Sequence, residues 1–166
     1  LKGDGKTAIA NHFKPDIAPD IAWELFMAVV ETEQHGQILV IRMNRPERLN
    51  AMGSEMMQML AEKWRMYRKN PDLEVAIFTG TGRGFCAGED MKETLEKGDV
   101  GSNSDIKPDD PFMAMELEKP VIGAINGFAM GGGFMLVERT DLRVAANNAI
   151  FEVSEAKRWL LGGYNH

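Results

Sequence analysis

The stretch 121-VIGAINGFAMGGGF-134 reads as a strand, a tight glycine turn and the start of a helix. The same order occurs upstream, where 75-VAIFTG-80 is a short buried strand closed by glycine and 84-GFCAGED-90 leads toward a helix. Two strand ends built this way can each present a backbone N–H to one carbonyl oxygen, which is the arrangement that stabilises an oxyanion. Gly84 and Gly88 permit a tight turn, after which the N–H groups of Glu89 and Asp90 are expected to point toward one spot. Gly131, Gly132 and Gly133 open a helix at a cost in helix stability. That cost makes sense if something must approach the backbone closely, and plain tight packing is the competing explanation.

Working outward, 38-ILVIRM-43 is strand-like and Asn44-Arg45-Pro46 stops it. Ser54 is placed to cap a helix to about Lys69, with Met56, Leu60, Trp64 and Tyr67 as its apolar stripe. Asn70-Pro71-Asp72 ends that helix. Asp90 with Glu93 three residues on makes a capping box, so a helix is expected from Met91. Residues 97–111 read as a mobile loop and residues 111–118 as a short helix before Lys119-Pro120. The glycine-led helix runs through about Glu138, and 141-DLRVAA-146 is a further strand. Upstream, residues 1–20 form an irregular lead-in, and residues 21–30 carry Ile21, Leu25 and Val29 at helical spacing. Alternation of strand and helix makes the class α/β. Element order alone does not choose between a doubly wound sheet and a spiral.

The 166 residues are enough for one domain with a real core, and 44% of them are hydrophobic. With 25 acidic and 19 basic residues the net charge is −6, and no basic run offers a nucleic-acid surface. Cys86 is the only cysteine, so no internal disulfide forms and a reducing, cytoplasmic location is the expectation. His12, His35 and His166 lack metal-ligand spacing, so no metal is expected. No run reaches membrane-spanning length, and the first residues lack the regions of a secretory signal. The segment 80-GTGRGF-85 fails as a dinucleotide loop because Phe85 stands where a third glycine is needed.

The runs 44-NRPERLNAM-52, 84-GFCAGEDMKE-93, 119-KPVIGAINGFAMGGG-133 and 141-DLRVAANNAIFEVSEAK-157 resemble signatures of the enoyl-CoA hydratase/isomerase, or crotonase, superfamily. They stand in the family's order over about residues 35–157. The resemblance implies a crotonase-like spiral of ββα units in residues 35–166, preceded by an N-terminal extension with a short helix in residues 1–34. It also implies C-terminal helices that complete the domain and a homo-trimer or hexamer. Because 158-RWLLGGYNH-166 stops where family members continue, the C-terminal part is expected to be missing from this chain. The implied ligand is an acyl-CoA thioester, with coenzyme A arriving as part of the substrate and no separate cofactor.

By motif matching, the N–H groups of Glu89 and Gly132 would hold the thioester oxygen. Ala87 resembles the backbone contact to the adenine or pantetheine part. Arg45, Arg48 and Lys92 are candidates for the CoA phosphates, and a solvated face is their competing explanation. Enoyl-CoA hydratases resembling this chain place one glutamate just after the triple glycine and a second further on. Here those positions are Met135 and Glu155. A thioether cannot move a proton, so the paired-carboxylate route to hydration is incomplete. Glu155 as sole base resembles the logic of the family's Δ3,Δ2-enoyl-CoA isomerases. Glu138 and Glu152 are the nearby carboxylates that could stand in, and a catalytically weak acyl-CoA-binding protein is the alternative of another class.

Overall fold

A computed structural model of the chain describes residues 28–97 and 109–154. Strands β1 (Val30–His35) and β2 (Ile38–Met43) form an antiparallel hairpin across Gly36, whose φ of 58° suits glycine. One 3-10 turn, Pro46–Arg48, precedes α1 (Ser54–Lys69). Then follow β3 (Val75–Gly80), β4 (Gly84–Cys86), α2 (Met91–Lys97), β5 (Val121–Ile125), β6 (Phe128–Met130), α3 (Gly132–Glu138), β7 (Leu142–Ala145) and β8 (Ile150–Glu152).

The strands sort into two sheets, β1-β2-β3-β5-β7 and β4-β6-β8. Thus β3-β4-α2 and β5-β6-α3 are ββα units that each give one strand to either sheet, and β7-β8 repeat the strand pair. All pairings after the first hairpin are parallel. This is the α/β spiral that the resemblance implied.

Alternation along the large sheet buries Leu39, Ile41 and Met43 from β2, Ala76 and Phe78 from β3, and Val121 and Ile125 from β5. They belong to one core with Met56, Leu60, Trp64 and Tyr67 of α1. Trp64 stacks on Phe112 with ring centroids 4.5 Å apart and meets Phe78 edge-on at 5.2 Å. The Lys119 ammonium reaches the carbonyls of Tyr67 and Asn70 at 3.0 and 2.6 Å, satisfying groups that the end of α1 leaves open.

Several local expectations change. Gly53, not Ser54, is the N-cap of α1, and its first N–H, that of Ser54, is met by Glu93 at 3.2 Å. The Asp90 carboxylate does cap α2 through the N–H groups of Lys92 and Glu93. The capping box is therefore split between two helices. Residues 111–118 form turns rather than a helix, fixed by Asp110 accepting from the N–H groups of Phe112 and Met113. Strand β1 (Val30–His35) lies in the sheet, and its residues 30–34 fall inside the stretch 1–34 read as an N-terminal extension. Residues 21–27 of the expected first helix and 98–108 of the expected loop lie outside the described residues. Every residue of β7 is exposed, as are Ile150, Phe151 and Val153.

Asn50 binds the start of the spiral together. Its φ of 55° is left-handed, which Asn tolerates better than most residues, and it is fully buried. Its Oδ1 accepts from the Arg45 N–H at 2.9 Å, and its Nδ2 donates to the carbonyls of Thr81 and Gly84 at 2.9 and 3.0 Å. Replacing Asn50 by Ala leaves the Arg45 N–H and the Thr81 carbonyl without this partner, leaves the Gly84 carbonyl to Asn126 alone, and strains the backbone. The expected loss is ~2–3 kcal/mol of stability, read from the midpoint of urea unfolding with an unchanged slope.

Candidate active site

The site is assembled where the parallel strands β4 and β6 end side by side, the usual place for ligand contacts in such sheets. After β4 the chain is held by the segment 49–52. The Ala87 N–H donates to the Leu49 carbonyl at 3.0 Å, the Met52 N–H to the Gly88 carbonyl at 2.7 Å, and the Asp90 N–H to the Met52 carbonyl at 3.0 Å. This is a short parallel ladder with Met52 opposite Glu89. It spends the Asp90 N–H, so Glu89 and Asp90 do not both point to one spot. Residue 89 itself is skipped by the ladder, and its N–H has no acceptor among the described residues.

After β6, the three glycines serve three different needs. Gly131 takes φ 53° and ψ −123°, a conformation essentially reserved for glycine, and its N–H donates to the Glu152 carbonyl at 2.8 Å. Gly133 packs against the Cys86 carbonyl so closely that a Cβ would collide with it. That is the tight-packing explanation. Gly132 lies beside the other loop: a Cβ there would meet the Met52 methyl and stand 3.9 Å from the Glu89 nitrogen. A Cβ on Gly88, where φ is 93°, would stand 3.3 Å from the Gly132 nitrogen. The Gly132 N–H likewise has no acceptor among the described residues. Two unspent amide donors from two strand ends are thus neighbours.

Arg45 and Arg48 turn to Asp90. Arg45 Nη1 lies 2.8 Å from Oδ2, and Arg48 Nη2 lies 3.0 Å from Oδ1 and 3.2 Å from Oδ2. The Asp90 side chain is only 4% exposed, against 23% and 26% for the arginines. Burial acts to raise the Asp90 carboxyl, but the Glu93 N–H and the Arg48 and Arg45 guanidiniums outweigh it and hold it below the ordinary 3.8.

The other sequence candidates are placed as follows. Ala87 is half-buried in the ladder, and Lys92 is exposed on α2. The Glu89 carboxylate is exposed and accepts from the Thr94 hydroxyl at 3.0 Å. Met135 is partly buried against the core, with Glu138 on the same short helix. Glu152 lies on β8 opposite Met130, its carboxylate accepting from Ser154 at 3.0 Å. Glu155 lies outside the described residues. Cys86 is fully buried, and burial pushes its thiol up to about 12 against the opposing Gly88 N–H, so it is no thiolate nucleophile. Among the described residues no group of side chains could hold a metal ion, and no helix is long and apolar enough to cross a membrane. Asn50 and Met52 escaped the sequence reading, although both lie inside the quoted run 44–52.

The sequence model described as enoyl-CoA hydratase/isomerase matches residues 33–163. The chain belongs to that family. It is 39% identical over 146 residues to enoyl-CoA hydratase EchA19 of Mycobacterium tuberculosis, covering 81% of this chain and 54% of the relative. It is 36% identical over 138 residues to (E)-benzylidenesuccinyl-CoA hydratase of Thauera aromatica, covering 82% and 54%. A crystal structure of an enoyl-CoA hydratase from Mycobacterium tuberculosis superposes with a TM-score of 0.73 at 36% identity, over 82% of this chain and 53% of that one. The chain spans about half the length of these family members.

The Asp90 geometry has a measurable pH signature. A carboxyl depressed in the folded state adds stability above its unfolded value and loses it as pH falls through the folded value. Below about pH 4, wild-type unfolding free energy should therefore fall more steeply than that of Asp90→Asn. Parallel slopes in urea titrations across that range would contradict the ion-pair assignment.

Proposed function

We propose that this chain carries the enolate-stabilising part of an acyl-CoA enzyme of the enoyl-CoA hydratase/isomerase type, acting on an enoyl-CoA thioester. One observation carries the reading: the neighbouring, unspent N–H groups of Glu89 and Gly132. A thioester oxygen accepting both would gain negative charge as a base takes a proton from the adjacent carbon in isomerisation, or as water adds at the β-carbon in hydration. Donors fixed in place need no reorganisation at that moment, and each is worth about 3 kcal/mol in such sites. The two relatives described above are both named as hydratases, one of them for a CoA thioester with an aromatic acyl group, which supports the ligand class. Coenzyme A enters as part of the substrate, with Ala87 at its backbone contact and Lys92 facing its phosphates. A phosphate contact from Arg45 or Arg48 would have to be shared with Asp90.

Met135 favours a second, narrower reading. A thioether half-buried against the core supplies no proton on that side of the site. Glu155 as sole base would then make double-bond isomerisation the main reaction. A carboxylate restored at 135 would favour hydration.

The decisive comparison is crotonyl-CoA hydration against 3-enoyl-CoA isomerisation. Isomerisation should exceed hydration in the wild type and fall roughly 10²- to 10⁴-fold in Glu155→Gln. Met135→Glu should raise hydration relative to isomerisation. Strong wild-type hydration indifferent to Glu155→Gln would sink the one-base reading. Thioester binding without any turnover would favour the catalytically weak acyl-CoA-binding relative.

A further inference from the structure

We infer that Asp90 is a positioning residue for the oxyanion site, its carboxylate clamped between Arg45 and Arg48 so that the adjacent Glu89 amide keeps its aim. The inference rests on the enolate-stabilising reading above and adds to it a residue that touches no substrate.

Asp90 collects an unusual set of donors for one carboxylate. Arg45 Nη1, Arg48 Nη2 and the N–H groups of Lys92 and Glu93 all lie within 3.2 Å of its oxygens, and Arg48 Nε lies at 3.4 Å. A carboxylate this buried relies on these partners, because each one lost leaves its charge less well compensated. The clamp is therefore stiff. Its two arginines come from the turn that Asn50 pins to Thr81, just after β3, and to Gly84 at the start of β4. On the other side, Gly88 and Asp90 are bonded to Met52. Glu89 is thus bracketed by a backbone ladder before it and a charged clamp after it. Glu93, from the first turn of α2, reaches the Ser54 N–H and ties the same loop to α1.

The alternative for the arginines is direct contact with CoA phosphates. The two roles separate in kinetics. A lost phosphate contact weakens ground-state binding and raises KM, whereas a misaimed amide lowers kcat and leaves KM nearly unchanged.

The test uses Asp90→Asn and Arg48→Met in the full chain. The first keeps the carbonyl oxygen that caps α2 but loses the charge. The second leaves the Arg45–Asp90 pair in place should the first fail to fold. Without ligand, amide hydrogen exchange at Ala87, Asp90 and Met52 should speed up about tenfold or more in both variants while β3 amides stay protected. With enoyl-CoA, kcat should fall roughly 10- to 100-fold, the cost of displacing a catalytic donor by about an ångström, with KM within about threefold. Unchanged exchange at those three amides, or a rise in KM with kcat preserved, would overturn the proposal. If the wild type turns over no enoyl-CoA, the functional reading fails while the exchange comparison still decides whether the clamp exists.

Discussion

The site depends on one peptide plane. In a trans peptide the carbonyl of one residue and the N–H of the next lie in a single rigid plane and point in opposite directions. The Met52 N–H grips the Gly88 carbonyl at 2.7 Å, so it also aims the Glu89 N–H away from the 49–52 segment. Gly132 is close by, its nitrogen beside Gly88 and its α-carbon near the Met52 methyl. Gly88 at φ 93° is what lets the chain enter that plane from β4, and a side chain there would press on the Met130 carbonyl. Remove the Met52 contact and the donor remains in the chain but loses its direction.

The spiral makes that local arrangement reproducible. Each ββα unit sends its second strand into the small sheet, and parallel pairing brings the C-terminal ends of β4, β6 and β8 to one edge. The β4 end carries Glu89, and the β6 end carries Gly132. The β8 end is tied in by the Glu152 carbonyl, which accepts from the Gly131 N–H. The large sheet and α1 provide the rigid body behind, through Trp64, Phe78 and Phe112. Phe85 links the two layers, meeting Phe78 at 5.3 Å from within β4. Core packing and donor placement are thus joined at adjacent residues of one three-residue strand and the turn that follows it.

How much of this was legible follows from the range of each interaction. Strands β2 and β3 were readable to the residue because apolar runs stand between clear turn signals. The α1 stripe was readable because burial follows the helical period. β1 was not, since Glu31, Glu33, Gln34 and His35 show no apolar alternation and the strand is defined by its pairing with β2. β4, β6 and β8 have three residues each, too few for any period to register. The candidate donors Glu89 and Gly132 came from motif resemblance, and the structure adds that both are unspent. The arginine clamp was out of reach of local reading, because Arg45 and Arg48 find their partner 45 and 42 residues further along the chain. From the sequence they were candidates for the CoA phosphates, with a solvated face as the competing explanation. The same limit split the capping box: the spacing of Asp90 and Glu93 is right, but Glu93 serves a helix from a different part of the chain.

One short helix sets both what the site retains and what it lacks. Gly132 opens α3, and Met135 follows three residues on, so both fall on neighbouring parts of one helical face. The backbone at 132 supplies a donor whatever the side chains do, whereas proton transfer at 135 depends entirely on the side chain. A methionine there preserves the fold, since it packs with the apolar core as a carboxylate would not without a partner. Charge stabilisation and proton transfer are therefore separable in this architecture. Under the enolate reading, the first is written into the backbone and survives substitution at 135. The second would have to come from a side chain other than Met135, because a thioether moves no proton.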